Sequence, residues 1–199
     1  MLARTLIFIG MLGATPILLA QASSTASRAG DLQIGGGYTT LSPDIKPNRF
    51  TGGAAYVDFN FTDHLGAEGE FHFATDSSAG NTGEYEKTYE VGARYFRTYR
   101  RFLPYAKVMY GRGVFNFTEP FCTQAPGSTL TLPCPANATV TYEPVANLAY
   151  NLAAGGVGVD YEVLRHVNVR AEWEYQRWFN FEGSSLSPSL ITIGGAYHF

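Results

Sequence analysis

Between Val167 and Trp178 the chain alternates with period two: Val167, Val169, Ala171, Trp173 and Tyr175 are apolar, while Asn168, Arg170, Glu172, Glu174 and Gln176 are polar or charged. Successive side chains of a strand point to opposite faces, so this pattern specifies a strand with one apolar and one charged face. It does not suit a helix, whose faces repeat every ~3.6 residues. The same alternation runs through Ala55, Val57, Phe59 and Phe61 against Asp58 and Asn60, and through Leu65, Ala67, Gly69, Phe71 and Phe73 against Glu68, Glu70 and His72. It returns in Tyr89, Val91, Ala93 and Tyr95 against Glu90, Gly92 and Arg94, and in Ala106, Val108 and Tyr110 around Lys107. Arg112 then falls out of phase, which predicts a bulge near Gly111 to Gly113. With Leu32 to Leu41, Val145 to Tyr161 and Ser189 to Phe199, the pattern predicts eight strands.

The connections alternate short and long. Those at Asp63, Thr98 to Arg101 and Glu162 to Arg165 are tight, whereas Ser42 to Phe50, Thr75 to Gly83, Asn116 to Pro144 and Phe179 to Pro188 are longer. An up-and-down barrel whose two ends face different compartments has this rhythm. The fold class expected is all-β: an eight-stranded antiparallel transmembrane β-barrel with short periplasmic turns and longer extracellular loops, over residues 31–199. A soluble ligand-carrying barrel would bury the apolar faces instead, and parity alone does not distinguish the two. A lumen this narrow is just filled by side chains, and the charged faces offer acids and bases that can pair inside it. Tyr95, Tyr105, Tyr161, Trp173, Tyr175 and Tyr197 near strand ends suit interfacial girdles. Both features favour the membrane barrel.

Composition narrows the alternatives. The only long apolar run is Leu6 to Ala20, interrupted by Gly13 and Pro16, which is too short for a spanning helix and argues against a helical bundle. Thirteen Tyr, 14 Phe and 2 Trp supply ample surface to bury, against disorder. Fourteen basic against 17 acidic residues leave a net charge of -3 with no basic field, so nucleic acid is not an expected partner. Arg4, the apolar run and Ala20-Gln21-Ala22 form a secretory leader, residues 1–22, with cleavage expected after Ala22. Ser23 to Gly30 is a small, polar lead-in.

The final segment, Ile191-Thr-Ile193-Gly-Gly195-Ala-Tyr197-His-Phe199, is similar to the C-terminal strand signal of bacterial outer-membrane proteins, with Tyr197 and Phe199 as the residues that the assembly machinery would read. With the leader, the eight strands and the glycine-rich Ala153 to Tyr161, the chain resembles the outer-membrane β-barrel family of OmpA and OmpX type. The resemblance implies location in the bacterial outer membrane, contact with its lipid and its assembly machinery, and an extracellular partner met through the loops. The resemblance covers residues 31–199, and no periplasmic peptidoglycan-binding domain is expected.

The charged face collects Asp58, Glu68, Glu70, Glu90, Asp160, Glu172 and Glu174 against Arg94, Lys107 and Arg170, with His72 nearby. Counted from the short turns, Asp58, Glu68, Arg94, Lys107 and Arg170 should form one layer, with contacts such as Glu68 to Arg94. An unpaired buried charge costs several kcal/mol, so the first expectation is a structural network that plugs the barrel. The acid excess motivates a second, a narrow cation-preferring water path. Catalysis by Glu172 and Glu174 lacks a substrate cleft. The constellations expected of barrel enzymes that modify lipid A or cleave proteins, a His with Ser and an acid or paired Asp near a His, are not evident either. The protein is therefore not expected to be an enzyme, and no cofactor is implied.

Cys122 and Cys134 enclose the 11 residues from Thr123 to Pro133, and an exported chain meets an oxidising compartment, so a disulfide is expected there. Closing such a loop stabilises by about 3 kcal/mol in the chain-entropy model. His64, His166 and His198 collect at the short-turn end without a metal-binding spacing and are expected to be solvated, so no metal site is assigned.

Overall fold

The computed structural model describes residues 30–44, 48–76, 83–125, 128–130, 139–146, 148–181 and 184–199, with the side chains of residues 117–147 left aside. The secretory leader, the lead-in and Cys134 lie outside the described residues.

The strands are β1 (Asp31–Ser42), β2 (Phe50–Asn60), β3 (Leu65–Asp76), β4 (Tyr85–Phe96), β5 (Phe102–Ala125), β6 (Ser128–Leu130), β7 (Thr139–Ala146), β8 (Ala149–Leu164), β9 (Val167–Phe181), β10 (Ser184–Leu186) and β11 (Ser189–His198). Each of β1, β2, β3, β4, β5, β8, β9 and β11 pairs antiparallel with two neighbours, and β1 pairs with β11, so these eight close into a barrel without an edge. The short turns at Phe61–His64, Arg97–Arg101 and Arg165–His166 share one end with Gly30 and Phe199, and the longer connections share the other.

Which face points inward is decided by shape and charge together. The apolar residues of the alternating segments face out: Val57, Val91, Val108, Val157 and Ile193 are 45 to 67% exposed. Aromatic rings gather toward both ends of this apolar wall, with Phe59, Tyr95, Phe102, Tyr161 and Tyr197 near the short turns and Phe73, Tyr89, Tyr110 and Tyr175 higher up. A soluble barrel would leave this surface in water, whereas a bilayer covers it.

Four sequence expectations need correction. No bulge interrupts β5 at Gly111 to Gly113: pairing with β4 and β8 runs unbroken there. Arg112 faces outward because it shares parity with Tyr110, and its guanidinium donates to the Ala149 carbonyl at 2.9 Å. Tyr105 does not belong to a girdle. It shares parity with Lys107 and is buried inside, where its hydroxyl donates to Glu172. The segment Val145 to Tyr161 is also not one strand, since Val145 and Ala146 end β7 while β8 begins at Ala149. Nor is Asn116 to Pro144 wholly a loop. After its pairing with β4 ends at Asn116, β5 continues and pairs with β7 from Phe117↔Ala146 to Thr123↔Thr139, a two-stranded ribbon beyond the barrel wall.

The interior is filled in two zones. Toward the long-loop end, Leu41, Phe50, Phe115, Leu152, Trp178, Phe181, Leu186 and Leu190 form an apolar plug, each no more than 5% exposed. Phe50 and Phe115 stack at 5.6 Å. Large rings fit because facing positions are glycine: a Cβ on Gly113 would lie 2.3 Å from the Trp178 ring, and one on Gly158 would lie 2.5 Å from the Tyr105 hydroxyl. Below the plug the interior is charged.

Candidate functional site

Asp58, Glu68, Glu70, Glu90, Arg94, Lys107, Asp160, Arg170, Glu172 and Glu174 are all buried on the inward face. They form three connected levels rather than one layer, because β-strand parity places successive inward residues one pair apart along the axis.

Nearest the short turns are the two arginines. Arg94 on β4 contacts Asp58 at 2.5 Å and also pairs with Asp160. Arg170 on β9 reaches Asp58 at 2.5 Å and Asp160 through Nε at 2.8 Å. Both guanidinium groups lie 3.6 Å from Glu68, so Glu68 and Arg94 on adjacent strands do meet, though at longer range than the aspartate pairs. The flat faces of the arginines are used as well: Arg94 stacks over Tyr105 at 3.9 Å and Arg170 over Tyr56 at 3.8 Å. Two fork-shaped cations thus hold two aspartates, an arrangement for which the rigid guanidinium is suited and an ammonium is not.

One step higher, Lys107 directs its ammonium into four carboxylates: Glu68 at 3.0 Å, Glu172 at 2.7 Å, Glu174 at 2.9 Å, and Glu70. Lysine fits here because a compact point charge can serve several oxygens at once. Lys107 stands opposite Arg94 in the β4–β5 register, yet its ammonium serves the glutamates rather than the aspartates, and Glu68 links the two groups.

The third level centres on His72. Its Nε2 lies 3.0 Å from Glu70, and its Nδ1 lies 3.3 Å from the Thr88 hydroxyl and 3.7 Å from Glu90. Thr88 donates to Glu90 at 2.7 Å. The Gln176 amide donates to Glu90 at 2.8 Å and to Glu174 at 2.9 Å, and its oxygen accepts from the Trp178 indole at 2.9 Å. Gln176 was read on the polar face, but Thr88, Trp178, Tyr56 and Glu86 were not singled out in the sequence, although parity with Glu90, Glu174 and Asp58 places each of them on the inward face. Glu86 is 1% exposed. It escapes a period-two reading because outward Lys87 interrupts the apolar face just where β4 begins.

The histidines at the short-turn end do not come together as one cluster. His64 and His166 are exposed in separate turns, and His198 contacts Asp31 at 2.8 Å where the barrel closes. Cys122 lies in the projecting ribbon, opposite Val140. Tyr197 faces outward beside Val167, and its ring meets that of Phe199 at 5.1 Å.

Comparison with known proteins bears on the fold. The barrel is similar to Ail, the attachment invasion locus protein of Yersinia pestis, at 16% identity, a TM-score of 0.55, and 86% of this chain and 99% of that chain covered. It is also similar to Neisserial surface protein A, at 12% identity, a TM-score of 0.54, and coverage of 88% and 100%. The N-terminal β-barrel domain of Pseudomonas aeruginosa OprF matches at 12% identity and a TM-score of 0.50, over 86% of this chain and 98% of that one. No curated protein sequence matches the chain. The family model of the outer membrane protein beta-barrel domain matches residues 12–199, and with the closed barrel and its apolar wall this places the chain in that family, whose members reside in the bacterial outer membrane.

Proposed function

We propose that the protein is a surface-interaction scaffold: an inert barrel fixed in lipid that presents its long connections outward. The observation that carries this reading is the β5–β7 ribbon, which continues seven or more residues past the last β4 partner of β5 while the barrel interior beneath it is closed by side chains. A filled interior leaves the outer segments as the surface free to recognise anything. A disulfide between Cys122 and Cys134 would stiffen the ribbon and lower the entropy lost on binding.

Charge indicates the kind of partner. The long connections carry Asp44, Glu119, Glu143 and Glu182 against Lys46 and Arg49. Ail of Yersinia pestis has been solved with the heparin analogue sucrose octasulfate. The acidic connections here suit a neutral or cationic partner better than a polyanion of that kind.

The test is adhesion of cells displaying the full chain or a chain whose residues 117–147 are replaced by a short turn, on coats of a basic protein, a neutral protein and heparin. Loss of attachment to one of the protein coats, with the shortened barrel still inserted, is the expected result. Equal attachment by both forms overturns the reading.

A second reading, a narrow cation-preferring path, is favoured by the acid excess of the interior and opposed by the apolar plug. Planar-bilayer recording of the folded protein separates the two. Silence is expected, and a steady cation-selective conductance would move the function into the lumen.

A further inference from the structure

We propose that His72, Glu90 and Glu174, with Glu86 beside them, form a binding site for one divalent transition-metal ion inside the barrel, beneath the apolar plug. Each of His72, Glu90 and Glu174 is buried, and each offers a ligand atom lying within 4.8 Å of the other two. Zinc-like ions hold nitrogen and oxygen ligands at about 2.0 to 2.2 Å. At the tetrahedral angle two such ligands lie about 3.4 Å apart, a contraction that a glutamate side chain can supply by rotamer adjustment. One imidazole among carboxylates is a donor set for first-row ions such as zinc or manganese rather than for calcium, which prefers oxygen alone.

A second observation, independent of the cluster, points to an occupant. Both carboxylate oxygens of Glu86 are buried and have no hydrogen-bond partner, and neither does Oε2 of Glu90. Glu86 shares the inward face of β4 with Thr88 and Glu90, one inward position beyond Thr88, the register partner of His72, and it lies within electrostatic reach of His72, Glu90 and Asp44. Leaving a buried carboxylate without a partner costs far more than leaving it in water. The level below shows how the barrel meets the same problem elsewhere: the carboxylates of Glu68, Glu70 and Glu172 also converge, and there the Lys107 ammonium fills the centre. Lys107 touches this cluster only at its edge, through Glu174 at 2.9 Å, and among the described residues no ion pair joins a lysine or arginine to Glu86 or Glu90, which leaves His72 as the group of opposite charge nearest them.

The surroundings already hold the ligands in place. The Gln176 amide bridges Glu90 and Glu174, and the Trp178 indole fixes the orientation of that amide. The Thr88 hydroxyl orients Glu90 from the other side. Bonds from a second ring of residues to the ligands are what a metal site needs to keep its geometry. An ion here would link β3, β4 and β9 and offset part of the acid excess of the lumen.

The test uses the untagged full-length protein, extracted from the outer membrane and also refolded into detergent with zinc, with cobalt or with chelator. Expected are about one equivalent of metal per folded chain after dialysis, a thermal midpoint several degrees higher in zinc than in chelator, and visible absorption bands from cobalt held by nitrogen and oxygen. Glu86→Gln removes a neighbouring negative charge without breaking any hydrogen bond, so it should fold and yet bind the ion at least tenfold more weakly. His72→Gln should abolish the cobalt bands. The proposal is overturned if the folded wild type retains no metal and its midpoint is the same in zinc and in chelator. It is equally overturned if Glu86→Gln stabilises the metal-free and zinc-treated proteins alike, which would mean that protons alone neutralise the cluster.

Discussion

Arg170 reaches across the barrel to Asp58, 112 residues earlier in the chain and three strands away around the wall, at 2.5 Å. The contact also engages Asp160 and is shared with Arg94, so four side chains from β2, β4, β8 and β9 tie opposite walls together. Replacing Arg170 by Met leaves two aspartates with one cation in a buried setting. Removing one partner of such a pair costs about 3 to 5 kcal/mol, and urea unfolding in phospholipid vesicles should show a loss of this size. A loss below about 1 kcal/mol would indicate that water, not Arg170, neutralises Asp160.

Val108 lies between Ala93 and Gly155 on the outward face, with aromatic rings of neighbouring strands both above and below it, whereas Val169 pairs with Tyr161 close to the short turns. Val108→Arg should therefore cost about 2 to 4 kcal/mol, and Val169→Arg about 0 to 1 kcal/mol, since the cost falls from the bilayer midplane to the interface. Comparing the two unfolding free energies checks the depth assignment. Equal costs would place the membrane elsewhere on the wall.

At Gly113 the Trp178 ring occupies the space that any side chain would need. Gly113→Leu should displace the indole, break its bond to Gln176 and destabilise the barrel by roughly 1 to 3 kcal/mol, the usual range for overpacking. Tryptophan emission reports the change directly: a red shift is expected, and an unaltered spectrum would mean that the plug is looser than its burial indicates.

Tyr105 donates its hydroxyl to Glu172 while its ring supports Arg94. Tyr105→Phe keeps the ring and removes the donor, so the expected loss is about 1 to 3 kcal/mol, the cost of leaving a buried acceptor unsatisfied. Tyr105→Leu removes both and should cost more. Near-equal unfolding midpoints for the two variants would assign the whole effect to the hydrogen bond.

The strands and their two faces follow from the order of residues alone, because side-chain parity is a local property of extended backbone and survives wherever apolar and charged residues alternate. That is why Asp58, Glu68, Arg94, Arg170 and Glu174 were legible as one face before any fold was known. Parity also held the inward position of Tyr105, but the chemical similarity of tyrosine to a girdle residue outweighed it. Glu86 was hidden because Lys87 sits outward near the rim of the wall, where a charge is tolerated and the amphipathic pattern fades. The long reach of β5 was illegible for a different reason: its partner β7 is supplied by a segment rich in proline and threonine whose pairing no local pattern announces.

Which residues meet across the lumen was settled by barrel closure, since that depends on the register of eight strands at once. It set Lys107 among four glutamates, left Glu86 without a partner beside His72, and raised an apolar plug over the charges. A sequence states which face a side chain takes. The closure of the barrel determines what that side chain meets on the other side.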